Sequence, residues 1–196
     1  MAKRKTACWD EKRARWFLAV AAFVALSTSG PPAAAQSASA ARTWLAVPRA
    51  AGRLTARDIG LVINQSDPYS VEVGEFYAQA RKLAPEQVLR VDVPVKATLT
   101  PEEFESLKRA VEAHFDARTQ ALALAWTLPY AVGCNSITGA LALGYDGDLC
   151  AHPCAPSKTS PYFNTRSARP YADFKLRPSM LLAAPDVADA KRLTPA

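Results

Sequence analysis

The 196-residue sequence has no glycine period, no sustained heptad and no second long apolar run. These absences exclude a collagen, a coiled coil and a multi-pass membrane protein. Glycine itself is scarce, 8 residues against 15 prolines. Neither GxGxxG nor GxxxxGK followed by Ser or Thr occurs, so no dinucleotide or nucleoside triphosphate is implied. Arg13 and Arg15 are split by Ala14, which removes a twin-arginine export pair. Apolar residues nevertheless make up 49% of the chain and charged ones 21%, enough for a core and against global disorder. The length argues for one domain, two at most.

Basic residues crowd the start: Lys3, Arg4, Lys5, Lys12, Arg13 and Arg15 against Asp10 and Glu11. An apolar run, Trp16 to Leu26, follows. It is too short to cross a bilayer as a helix, which needs about 20 residues. Gly30-Pro31-Pro32 and Ala33-Ala34-Ala35 come next. Basic region, short apolar region and small-residue site predict a Sec signal peptide over residues 1–35, cleaved before Gln36, with Ala38-Ser39-Ala40 as the second site. The competing reading is an uncleaved anchor. Cleavage would place the protein outside the cytoplasm, in the periplasm or secreted, with no membrane span left. Of the formal +6 charge, +4 falls in residues 1–35 (six basic, two acidic) and +2 in 36–196 (18 basic, 16 acidic). The remainder holds no Lys/Arg cluster interleaved with aromatics, so nucleic acid is not an expected partner.

Residues 36–57 read as a linker with one apolar patch, Trp44 to Val47. Regular structure is expected from residue 58. Ile59 to Ile63 is a continuous branched apolar run, the pattern of a strand buried on both faces. Asp67-Pro68 then gives an N-cap with proline at the first helical position. Val73, Phe76, Tyr77, Ala80 and Leu83 predict an amphipathic helix over about 69–82. Val88 to Val93 is the second strand. Thr100-Pro101-Glu102-Glu103 is a capping box that opens a second helix, whose buried stripe is Phe104, Leu107, Val111 and Phe115. Ala121 to Trp126 is the third strand. Ser136 to Leu143 predicts a short helix, and Gly144 to Phe163 a long irregular loop. Ser179 to Ala184 is a fourth strand, and Pro185-Asp186 starts a last helix to about Leu193. The alternation predicts an α/β fold of three layers, with a mostly parallel sheet and right-handed βαβ crossovers. Residues 58–196 are expected to be an incomplete domain, truncated at the C-terminus, with a Pro/Cys-rich loop at about 144–178 and an aggregation-prone apolar edge.

At LVINQSDPYSVEVGEFYAQARKLAPEQVLRVDVP, ALALAWTLPYAVGCNSITGALALGYD and RPSMLLAAPDVADAKRL the chain resembles a family of secreted bacterial proteins of unassigned activity. That family occurs in bacteria with exosortase, the membrane enzyme that sorts proteins bearing a Pro-Glu-Pro C-terminal signal. The resemblance runs from about Ile59 to Leu193 and implies an exported accessory or ligand-binding protein of the cell envelope. It implies exopolysaccharide, envelope or protein-sorting components as partners, and supplies no catalytic residues.

Chemistry-bearing residues are few. Asn64, Ser66, Asp67 and Ser70 lie where a strand hands over to a helix N-terminus, the usual ligand edge of a parallel sheet. They are candidates for a polar ligand, and the same residue types also serve turns and caps. Cys134 with His114 or His152 would suit a nucleophile and base, the basis of an alternative reading as a secreted cysteine-peptidase-like hydrolase with part of its site missing. Cys134, Cys150, His152 and Cys154 could instead ligate zinc, but an oxidising compartment favours a disulfide, and no metal or cofactor is expected. Cys134 is the favoured partner, with Cys150 ahead of Cys154 because Pro153 stiffens the intervening turn. Asp146-Gly147-Asp148 lacks the other oxygens of a calcium loop and reads as a turn. Tyr162, Phe163, Tyr171 and Phe174 are either a sugar or peptide platform or a cover for the sheet edge.

Overall fold

The computed structural model describes residues 54–152 and 159–194. The predicted signal segment, nearly all of the linker, and Cys154 lie outside the described residues.

The architecture is the expected α/β one. Four parallel strands, β1 (Ile59–Asn64), β2 (Val88–Val91), β4 (Ala121–Leu124) and β7 (Ser179–Leu181), form a sheet in the order β2-β1-β4-β7. A second, three-stranded sheet was not foreseen: β3 (Thr98–Leu99), β5 (Ala131–Val132) and β6 (Asn135–Ser136). Strands of two residues carry too little alternation to register as a sequence pattern.

Strand periodicity divides the core between the faces of the main sheet. Leu61, Ile63, Ala123 and Ala125 point to the side covered by α1 (Pro68–Arg81), where they meet Tyr77 and Val71. Val62, Leu122 and Leu124 point to the other side, onto Phe104, Leu107 and Val111 of α2 (Pro101–His114) and Ile137 and Ala140 of α3 (Ile137–Leu143). The last helix, α6 (Val187–Arg192), packs beside α1. Both faces of β1 and β4 are therefore buried, which is why their sequences are apolar throughout rather than alternating.

Helix boundaries follow the local chemistry. Asp67 accepts the amide of Tyr69 at 3.0 Å, with Pro68 in the first helical position. Thr100 and Glu103 close both halves of their capping box, at 3.3 and 2.8 Å. Asp186 caps α6 through the amide of Asp189, at the start expected from Pro185-Asp186. The stretch read as irregular from Gly144 contains one short helix, α4 (Asp148–Ala151), where the amide of Asp148 is held by the Asp146 carboxylate at 3.1 Å. Another, α5 (Pro170–Phe174), precedes β7.

Two close approaches set the packing. Helix α1 lies so near β1 that a Cβ on Gly74 would stand 2.6 Å from Cγ1 of Ile63. Arg177, 4% exposed, donates to the carbonyls of Phe115 (2.7 Å), Asp116 (2.8 Å) and Thr119 (3.1 Å) in the segment between α2 and β4. Its guanidinium lies 3.4 Å above the Tyr171 ring. The C-terminal end of α2, negative by its dipole, thus receives a buried cation.

Candidate functional site

The chain leaves β1 for β2 on one side and returns past β1 to β4 on the other. The order therefore reverses between β1 and β4. In open parallel sheets ligands bind outside the carboxyl ends of the strands at such a point. The four residues singled out from the sequence lie at this edge: Asn64 ends β1, Ser66 and Asp67 follow it, and Ser70 is in the first turn of α1.

Asn64 is fully buried. Its Nδ2 donates to the carbonyl of Val93 at 2.8 Å, and its Oδ1 accepts the amides of Val93 (3.0 Å) and Ser66 (3.2 Å). Ser70, also fully buried, accepts the Asn64 amide on Oγ at 2.8 Å. These two side chains hold the ends of β1, β2 and α1 together. Asp67 is 8% exposed and caps α1. Ser66 is the exposed member, and its hydroxyl donates to Oδ1 of Asp92 at 3.2 Å. Gln65 and Asp92, both exposed, complete a polar rim with it.

Tyr69 was not singled out, yet it ties this edge together. Its hydroxyl donates to the carbonyl of Leu182 and accepts the amide of Ala184, each at 2.9 Å. Burial pushes this hydroxyl above its ordinary pKa, and the charges of Asp67 and Asp186 add to the rise against the opposing Ala184 amide. The only local signal was a tyrosine in a first helical turn, and its partners lie 113 and 115 residues away.

From Gln65 and Ser66 a groove of about 860 Å³ runs along α1 past Val71, Glu72, Glu75 and Phe76. Glu72 pairs with Lys191 of α6 at 2.7 Å, and Glu75 pairs with Arg90 of β2. The groove therefore offers an aromatic and an aliphatic side chain between charge pairs that are already neutralised.

The other sequence candidates are dispersed. Cys134 and Cys150, the pair that the stiffness of Pro153 put ahead, form a disulfide with Cα atoms 5.2 Å apart, and this leaves no thiol on Cys134 for nucleophilic attack or zinc. His114 ends α2, its ring edge-on to Phe115 at 4.7 Å. His152 is exposed just after α4. Among the described residues no group of three or more His, Cys, Asp and Glu is placed to hold a metal. The loop aromatics form no common platform. Tyr162 packs on Phe174 with centroids 6.1 Å apart, Tyr171 lies against Arg177, and Phe163 stands 78% exposed.

Compared with known protein families, curated proteins and solved structures, the chain matches none. Among the described residues no helix is long and apolar enough to cross a membrane, and the Cys134–Cys150 pair fits an oxidising, extracytoplasmic location.

Proposed function

We propose that this is an exported accessory protein of the cell envelope that binds a polar ligand, with exopolysaccharide or protein-sorting components as its partners. The observation that carries the binding reading is the groove that opens at Gln65 and Ser66, just past the carboxyl end of β1, and runs along α1. Phe76 and Val71 supply an apolar strip, and Gln65, Ser66 and Gln79 supply neutral hydrogen-bonding groups along it. That combination suits an uncharged, polyhydroxylated chain, whose ring faces are apolar and whose edges carry hydroxyls. Export is supported by the basic and short apolar regions ahead of Ala33-Ala34-Ala35 and by the disulfide.

Titration calorimetry with neutral oligosaccharides released from envelope exopolysaccharide tests the binding reading. Binding that Phe76→Ala weakens by tenfold or more, about 1.4 kcal/mol, is expected. Heats indistinguishable from dilution for neutral and acidic oligosaccharides alike would end it. N-terminal sequencing from an exporting host tests export: Gln36 is the expected start, and secreted protein beginning at Met1 contradicts it.

A further inference from the structure

We propose that the Cys134–Cys150 disulfide is a thiol-exchange site, with Cys134 as the sulfur that accepts an incoming thiol and Cys150 as the sulfur that leaves. Both cysteines are exposed, so a thiolate can reach the bond. The two sulfurs have unequal surroundings. Cys150 Sγ accepts the backbone amide of Cys134 at 3.3 Å and faces the Tyr145 hydroxyl at 3.7 Å, with Nδ2 of Asn135 at 4.0 Å. Among the described residues, Cys134 Sγ has one such neighbour, Asn135 Nδ2 at 3.5 Å. Sulfur in a disulfide bears no proton, so in the Tyr145 contact the hydroxyl donates.

The donors converge because of the hairpin between β5 and β6. Its two-residue turn is Gly133-Cys134, and Gly133 has φ of 53°, which glycine adopts without strain. A Cβ there would stand 3.1 Å from the Tyr145 oxygen and 3.5 Å from Cys150 Sγ, so glycine also makes room for the cluster. A cavity of about 240 Å³ adjoins the bond, with Cys134 and Asn135 facing Leu143 and Leu149 across it. It offers the carbon skeleton of an attacking thiol compound a place beside Cys134.

The exchange balances as follows. The thiolate of a small or protein thiol attacks Cys134 Sγ and forms a new S–S bond there. The Cys134–Cys150 bond breaks, and its electron pair leaves on Cys150 Sγ as a thiolate. Hydrogen bonds to a charged acceptor are stronger than those to a neutral one, so the donors around Cys150 strengthen as charge develops on it. Exchange is faster when the departing thiolate is the better stabilised one. Release of Cys150 removes the covalent tie between α4 and the β5–β6 hairpin, leaving the hydrogen bonds between Asn135 and Asp146.

The experiment uses the full chain with Cys8→Ser and Cys154→Ser, leaving Cys134 and Cys150 as the only cysteines. Native, oxidised protein is treated with millimolar reduced glutathione, quenched with a thiol alkylator and mapped by mass spectrometry. Glutathione on Cys134 and alkylator on Cys150 is the expected product, exceeding the reverse arrangement by roughly tenfold, the order of one charge-assisted hydrogen bond. Tyr145→Phe removes one donor from the exposed cluster and is expected to lower that ratio several-fold, with Cys134 still favoured because the backbone amide remains. Glutathione mainly on Cys150, an even distribution, no mixed disulfide on the native protein, or a ratio unmoved by Tyr145→Phe would each overturn the proposal. None of these outcomes depends on the ligand or on export.

Discussion

Asn64 shows how one side chain changes meaning between sequence and structure. Read locally, an asparagine after a strand is a ligand contact or a turn residue. In the fold it bonds both backbone groups of Val93, 29 residues away, through the parallel pairing of β1 with β2. Replacing it with alanine leaves a buried amide and carbonyl unpaired. Asn64→Ala is expected to cost about 2–3 kcal/mol in urea unfolding, because each orphaned group carries its own desolvation penalty. Arg177 is comparable, with three carbonyl partners and an aromatic face. Burial pulls its pKa below the ordinary arginine value, although the guanidinium stays charged. Arg177→Met keeps most of the packing but deserts the carbonyls. A loss of about 2–4 kcal/mol is expected, and Arg177→Lys, which keeps the charge and three donors but lacks the planar fork that spans these carbonyls, should recover only part of it.

Helices were the most legible elements, because their ends are written in adjacent residues. The capping box of α2 and the Asp67-Pro68 start of α1 formed as read. At Glu102 the backbone amide and the Thr100 hydroxyl hold the carboxyl below its ordinary pKa. At Glu103 the Lys96 side chain and the Thr100 amide do the same, and at Asp116 the amide and side chain of Arg118. All three carboxyls have folded values below unfolded ones, so the unfolded chain takes up more protons as pH falls through the carboxylate range. The stability they contribute is present above the unfolded carboxylate pKa and is lost as pH drops through the depressed values. Urea midpoints should therefore fall between neutral pH and about pH 3, and Glu103→Gln should flatten that slope. At neutral pH, Thr100→Ala should cost about 1 kcal/mol through the lost cap. Strand ends were less legible: β2 stops at Val91 and β4 at Leu124, each two residues before the end expected from the sequence. Pairing ends a strand, and pairing depends on the neighbour's length rather than on the strand's own residues.

At the scale of the whole molecule, the disulfide links the small sheet to the segment that follows α3. It closes a separation of 16 residues. Reducing it, or substituting Cys150→Ser, should lower unfolding free energy by about 3 kcal/mol in the chain-entropy account. Paired denaturation curves with and without reductant measure this. Coincident curves would mean that the link constrains the unfolded chain much less than its span implies. The layered core is less forgiving. Phe104 has no exposed surface and belongs to one buried cluster with Val62, Leu124 and Trp126. Phe104→Ala should cost about 3–5 kcal/mol, since rigid strands on one side limit collapse into the cavity.

By itself the sequence determined the α/β class, the order of the main strands and helices along the chain, the caps, and the favoured cysteine pair. The elements and caps depend on periodicity and on residues within a few positions of one another, where side-chain direction follows directly from backbone geometry; the cysteine preference rests on the stiffness of Pro153. Only the tertiary structure decided that β4 lies on the far side of β1 from β2, that the β3-β5-β6 sheet exists, and that Asn64 and Ser70 are spent internally while Ser66 stays open. It also decided that Tyr69 and Arg177 bridge segments 50 or more residues apart. These depend on which strands become neighbours and in what register. That choice is made by burying both faces of one sheet at once, and no short stretch of residues encodes it.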